Sequence, residues 1–530
     1  MPRNRWLALA LVVVLVGLAV SGCGKSGTAN KEGKVLNIGW YAKFSSLDPA
    51  VHASRWDAMP DASIYEPLIY EVEPGNFKPG LAEGWTVNKE MTEITIKLKK
   101  GLKLSDGTPI NTDLMIGNFD RIKDPKTASL QVRNLETVKD YAKVDDLTFK
   151  VTFKNPYNRI INHFTGTWAS PNSLNAIKAK GTEYTMNPVA YGPYTVQSPW
   201  PDENTLVLLK NKEYKAPDFL APPTYDKIVF KIIPEETSRI VALEKGEVDM
   251  IFQPPNIEVP RLEKSADFQI MRYLSGGLPQ GYMPNVTRSP TNEKNVRLAM
   301  IYALNREELS QLAFFGVNPA ANSALASGNV AFWADSKTEY KYDPEKAKKL
   351  LDEAGWIVNP KTGIREKNGK TLKIRLVTTA GKNHEVAVTQ WRAVGFDAIL
   401  ESMAYEATVK RMADNEYEVA RLGLSGTDPG VLWSAFHSSQ ITGGSRFNRT
   451  KIADQNLDQM LDKGRNEAMP AEDRKQLYID AQKYIMSNGW WIPSHEDTYV
   501  WAINKKKVTG FKFDANGNPL LILTKPVTTK

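Results

Sequence analysis

Thr92-Glu93-Ile94-Thr95-Ile96-Lys97-Leu98-Lys99-Lys100-Gly101-Leu102-Lys103-Leu104-Ser105-Asp106-Gly107-Thr108-Pro109-Ile110 is where the fold becomes readable. Its first half alternates strictly. Ile94, Ile96 and Leu98 share one face, which is the period of a half-buried antiparallel strand. Asp106-Gly107 then supplies a tight turn with φ > 0, and Pro109 stiffens its exit. Asn111-Thr112-Asp113 follows with helix caps. The segment reads as a strand and a glycine hairpin running into a helix, a scaffold rather than a site.

Outward from it, Thr148-Phe149-Lys150-Val151-Thr152-Phe153-Lys154 repeats the alternation and is ended by Asn155-Pro156. Val35 to Trp40 is a compact apolar run, predicted as the first strand. Between Asn295 and Phe315 the period turns helical, with Val296, Ala299, Met300, Ala303 and Leu304 on one stripe. Another helix opens with Asp343 as N-cap and Pro344 at its first position. It turns Ala347, Leu350, Leu351 and Ala354 inward and stops at Gly355. A third runs from Glu235 to Lys245, is closed by Gly246 and feeds a strand from Val248 to Phe252. Strands followed by helices in both halves predict an α/β body. No fixed-period repeat is present, which excludes a solenoid or propeller.

The chain has 530 residues, enough for two to four units at roughly 150 residues each. With 42% hydrophobic and 24% charged residues, it is not disordered as a whole. The net charge of +8 is modest and forms no basic stripe, so no nucleic-acid partner is expected. Arg3 and Arg5 precede an apolar run from Trp6 to Val20, followed by Val20-Ser21-Gly22-Cys23. That run suits a secretory signal and is short for a membrane span, which needs about 20 residues. Cys23 is the only cysteine, so no internal disulfide forms. Gly24 to Lys34 is small and polar and reads as a flexible tether.

Catalytic patterns fail on inspection. His52, His163, His384, His437 and His495 are too dispersed for a helical zinc pair, and no metal or cofactor is expected. Gly369-Lys370-Thr371 resembles the end of a phosphate loop, but the position five residues before Gly369 is Ile364 rather than glycine; Gly363 misses by one, and the surroundings read as a polar turn. Gly423-Leu424-Ser425-Gly426-Thr427 lacks the last glycine of a serine elbow. The chain offers no catalytic constellation.

Val20 to Cys23 resembles a bacterial lipobox. That resemblance implies a signal peptide at 1–22, a diacylated Cys23 heading the mature chain, and a tether at 23–34; two acyl chains suffice for a stable anchor. Further motifs follow in order: Leu47-Asp48-Pro49, Tyr65-Glu66-Pro67-Leu68, Pro79 to Trp85, the stretch quoted first, Tyr191-Gly192-Pro193-Tyr194, Ile228 to Pro234, Ala242 to Asp249, Val296-Arg297-Leu298-Ala299, Leu350 to Trp356 and Trp491-Ile492-Pro493. Together, over about residues 35 to 525, the chain resembles the family 5 extracellular solute-binding proteins of ABC importers. The resemblance implies a two-lobed periplasmic-binding-protein-like (type II) α/β fold with an inserted domain and two crossover strands. Carried over, the first lobe takes 35–70, 190–283 and 495–530, the inserted domain 71–189 and the second lobe 284–494. It also implies a monomeric, non-enzymatic receptor at the cell membrane, in the periplasm or on the outer face of the cytoplasmic membrane. Such a receptor captures a small solute, peptide foremost, and passes it to a permease and ATPase complex.

One departure bears on the ligand. Peptide binders of the family receive the α-amino group on an aspartate within a Trp-x-x-Asp-x-x-Asp-Pro-like segment. Asp428-Pro429 matches its end, but Ser425 stands at the amine position and Leu422 at the tryptophan. A buried ammonium without a carboxylate is costly, so either another acid serves or the ligand has no free amine. The family also includes binders of nickel chelates, opines and sugars. Trp40, Tyr41, Arg421, Asp428, Trp433 and Arg446 are the expected ligand contacts, because flat aromatics and carboxylate-clamping arginines suit such a cleft. Trp40 equally suits a strand core, Asp428 a turn cap and Arg446 a solvent loop. An anchored hydrolase, or a solute sensor of the same fold, is the alternative function.

Overall fold

Leu36, Ile38 and Trp40 fall on one face of Val35–Trp40, and burying that face sets the strand at the middle of a sheet. The computed structural model describes residues 33–51, 59–73, 75–441, 447–515 and 517–527. In it Val35–Trp40 pairs in parallel with Lys227–Ile232 on one side and Met250–Phe252 on the other. The sheet has seven strands, in the order Phe268–Leu274, Thr498–Asn504, Met250–Phe252, Val35–Trp40, Lys227–Ile232, Thr205–Lys210 and Tyr194–Val196. Trp40, Phe230, Phe252 and Trp501 centre its core. The helix before Met250 spans Glu236–Glu244, with the Glu235 carboxylate accepting the Ser238 N–H and Gly246 at φ 72° closing it. The strand after it begins two residues later than the apolar run suggested, because Val248 is buried in the connection.

A separate four-stranded antiparallel sheet follows the order Ala82–Val87, Glu93–Leu98, Thr148–Phe153, Val138–Lys143. The alternation of the opening stretch is realised there: Ile94, Ile96 and Leu98 are fully buried. They share a core with Met115 and Phe119 of the helix Thr112–Lys123, whose first turn is capped by Asn111 accepting the Leu114 N–H. Gly107 takes φ 86°, as the turn requires. The hairpin itself shrinks to one bridge, Lys103 to Pro109, since Pro109 has no N–H to lengthen a ladder.

The third large sheet runs Asp397–Ser402, Lys373–Thr378, Val419–Leu424, Leu278–Pro284, Ile492–His495. Its first three strands are parallel and the rest antiparallel. The helical stretch from Asn295 to Phe315 proves to be two helices, Lys294–Tyr302 and Arg306–Phe314. The break comes where the Asn305 carbonyl side chain accepts the Glu308 N–H and starts a new helix. The apolar stripe nonetheless stays in one core with Trp391 and Trp491. Pro344–Glu353 is capped by Asp343; Ala347 and Leu351 are buried, while Leu350 and Ala354 are half-buried against the same core. Lys370-Thr371 lies in a small hairpin turned by Asn368 and Gly369, not beside a helix N-terminus.

The chain passes between the seven- and five-stranded sheets twice, from Leu274 to Leu278 and from His495 to Thr498. These crossings hydrogen-bond to each other, Ser275 N–H donating to the Asp497 carbonyl at 3.1 Å. The result is a two-lobed α/β body with two crossover segments and an inserted sheet. Among the described residues no helix is long and apolar enough to cross a membrane. Cys23 and Arg446 lie outside the described residues.

Candidate ligand-binding site

Val419–Leu424 lies antiparallel to Leu278–Pro284, with Arg421 opposite Tyr282. Alternation buries Ala420 and Leu422 and turns Arg421 and Gly423 the other way. Gly423 leaves room there for the Gln280 side chain: a Cβ would sit 2.2 Å from Gln280 Nε2. The Gln280 amide occupies that space and donates to Asp497 Oδ2 at 2.6 Å. Beyond the strand end, Ser425 Oγ meets the Tyr499 hydroxyl at 3.2 Å, linking the two sheets. These groups wall a cavity of about 600 Å³, within the usual range for small-molecule sites. Gln280, Arg421 and Ser425 come from the five-stranded side, and Tyr499, Glu236 and Gln253 to Asn256 from the seven-stranded side. Gln253 holds the left-handed φ of 49°. Its N–H is tied to the Val500 carbonyl, and its own carbonyl accepts from Arg239.

Arg421 is half-buried and has no carboxylate partner among the described residues. His384 and His495 lie close enough to feel its charge. Burial first, and then Arg421, push His384 down to about 4 and His495 down to about 3. Both imidazoles are therefore neutral near pH 7, leaving the Arg421 guanidinium as the cation on the cavity wall. Asp497 and Glu236 supply the cavity's negative side. Two buried acceptors on its wall, Gln280 Oε1 and Thr498 Oγ1, have no hydrogen-bond partner among the described residues, the condition in which a bound solute or water completes a site. A cation at one side, carboxylates at another and uncommitted amide and hydroxyl groups between them suit a zwitterion.

Of the expected contacts, Arg421 lines this cavity. Trp40 is 1% exposed and stacks on Phe252 at 4.9 Å in the first lobe's core. Tyr41 is half-buried and packs against the same Phe252. Asp428 is held by both terminal nitrogens of Arg474, at 2.9 and 3.1 Å, and caps the Gly430 N–H. Trp433 donates to Asp462, lies under the Arg465 guanidinium at 3.8 Å, and borders a different cavity with Tyr157. Gln280, Glu236, Asp497 and Tyr499 escaped sequence reasoning, because no local pattern marks residues drawn from three distant segments.

A cleft lined from two α/β lobes joined by paired crossovers defines a solute-binding protein. Residues 76–443 match the bacterial extracellular solute-binding proteins, family 5 Middle, and the chain belongs to that family. It is a binding protein rather than an enzyme. Glutathione-binding protein GsiB of Shigella flexneri serotype 5b (strain 8401) is 27% identical over 507 residues, covering 94% of this chain and 95% of that protein. The periplasmic binding protein DppA from Helicobacter pylori, solved with peptide STSA, superposes with a TM-score of 0.76 at 22% identity, covering 93% of this chain and 98% of its own. NikA from Brucella suis, solved with Fe(III)-EDTA, gives 0.81 at 20% identity, covering 93% and 100%. The fold is thus the type II periplasmic-binding architecture.

Proposed function

We propose that the chain captures a short peptide-like zwitterion between its lobes and delivers it to the permease and ATPase of an ABC importer. The observation that carries this reading is Arg421, a half-buried guanidinium facing the cavity without a carboxylate of its own. A ligand carboxylate fills that place with a charge-assisted, bidentate pair. Ser425 cannot balance a ligand amine, and Asp497 and Glu236 are the acids on the cavity wall that this reading assigns to it. The likeness to GsiB and to peptide-bound DppA supports a peptide, whereas NikA illustrates another solute class on the same fold.

Binding works through differential affinity: a ligand touching both walls stabilises the closed lobes over the open ones. A micromolar ligand supplies about 8 kcal/mol in total. The lobe boundary belongs at 275–277 rather than 283–284, since Leu278 already pairs with Leu424; the return falls at 496–497. Cys23 is the lipid anchor, which holds a monomer on the outer side of a membrane.

Native mass spectrometry of the purified protein identifies the co-purified solute, expected to be a short peptide. In calorimetry with that peptide, Arg421→Ala weakens binding by about 30-fold or more, the scale of a lost charge-assisted bond, with little change in thermal unfolding. Unchanged affinity removes Arg421 from the site; a co-purified solute with no carboxylate ends the peptide reading.

A further inference from the structure

The largest groove described, about 1060 Å³, lies away from the ligand cavity, where the inserted sheet meets the edge of the seven-stranded sheet. Its lining holds six lysines, Lys99, Lys100, Lys103, Lys210, Lys212 and Lys215, against three carboxylates. One of these, Glu66, is 2% exposed and occupied by the Tyr70 and Tyr214 hydroxyls. None of the six lysines forms an ion pair among the described residues. On the same inserted sheet Lys97 pairs with Glu83, Lys143 with Asp113 and Lys150 with Glu93, at 2.8, 2.9 and 3.1 Å. Six lysines without an ion pair among the described residues therefore line this one groove.

The groove also sits where the chain begins its folded body. Lys34 N–H donates to Asp226 Oδ2 at 2.8 Å, and the Asp226 carbonyl accepts from Lys210 N–H at 3.0 Å. Lys34 and Lys210 thus share one end of the sheet. Only ten residues, 24–33, separate Lys34 from Cys23, a reach of at most about 40 Å. An acyl group on Cys23 would tether Lys34 within that reach of a lipid surface.

We propose that the lysine groove is a membrane-docking face that receives anionic lipid headgroups and steadies the anchored protein on the lipid surface. This rests on the proposed anchor at Cys23. An anionic surface attracts lysines held within about one screening length, roughly 8 Å at physiological salt. A lipid chain supplemented by a basic patch is a stronger attachment than either alone. Charge complementarity selects the headgroup phosphates; the apolar lining is too slight to insert into the bilayer.

The acylated full-length chain, reconstituted on vesicles of phosphatidylcholine alone or with about 30% phosphatidylglycerol, is labelled with an amine-reactive ester and mapped by mass spectrometry. The six groove lysines are expected to label on the order of threefold more slowly on the anionic vesicles, relative to Lys382 and Lys410. The difference should vanish in about 1 M salt, where screening falls to about 3 Å. The triple variant Lys100→Glu, Lys103→Glu, Lys212→Glu, all exposed positions, should lose protection at Lys99, Lys210 and Lys215 while keeping its thermal unfolding. Equal labelling on both vesicles overturns the proposal, as does protection that appears only when the permease is present. An acylated chain without protection breaks the docking face and keeps the anchor; an unacylated chain that still shows the anionic protection breaks the anchor and keeps the face.

Discussion

Glu66 shows how a single buried carboxyl sets a pH dependence. Tyr214 and Tyr70 donate to it at 2.7 and 2.9 Å. Burial outweighs those bonds and the nearby Lys99, and raises its pKa from 4.5 to about 7. Between those values the folded chain keeps a proton that the unfolded chain has released, so stability falls as pH rises through the window. The full effect is of order 3 kcal/mol. Glu66→Gln retains an acceptor and removes the charge. Urea unfolding should show it more stable than wild type by about 1–3 kcal/mol near pH 8 and equal to wild type below about pH 4.5. A constant difference across pH would place the effect in packing instead. Asp428 teaches a related lesson: its Asp-Pro context was plain in the sequence, but its partner Arg474 lies in the helix Ala471–Ser487 and only the folded chain brings them together.

At the scale of elements, the Leu278–Pro284 and Val419–Leu424 strands carry the site, and their glycines have distinct duties. A Cβ on Gly423 would press on the Gln280 amide at 2.2 Å, whereas one on Gly277 would meet the Leu424 carbonyl at 2.0 Å. A side-chain amide can swing aside; a backbone carbonyl cannot. Gly423→Ala should therefore weaken ligand binding by about tenfold, through the lost Gln280 to Asp497 bond, for about 1 kcal/mol or less of stability. Gly277→Ala should cost about 1–3 kcal/mol by forcing the strands apart. Calorimetry and denaturant unfolding of both variants test the contrast, and equal effects would contradict it. Local patterns made Ile94 to Leu98, the Asp343 cap and the Gly246 stop legible beforehand. The break at Asn305 was passed over, although the apolar stripe ends at Leu304 and Asn305 stands three residues before Glu308, as a capping residue does.

For the whole molecule, the two crossovers make relative lobe motion the accessible change. Peptide at about 100 times its dissociation constant should stabilise the protein by about 2.7 kcal/mol by mass action. If the lobes close, small-angle scattering should also record a smaller radius of gyration. Stabilisation with unchanged dimensions would mean that the cleft is already closed before the ligand arrives.

The alternating strands Glu93–Leu98 and Thr148–Phe153 and the capped helix Pro344–Glu353 follow from the sequence, because periodicity, caps and turn residues act over a few neighbours, and the ordered motifs carry the family and its inserted domain. Which arginine faces the cleft, which acids oppose it and where the unpaired lysines gather were settled only by tertiary structure. Arg421, Asp497, Glu236 and Lys210 acquire their meaning from charges and walls contributed by segments hundreds of residues apart, and electrostatics and burial act through space rather than along the chain.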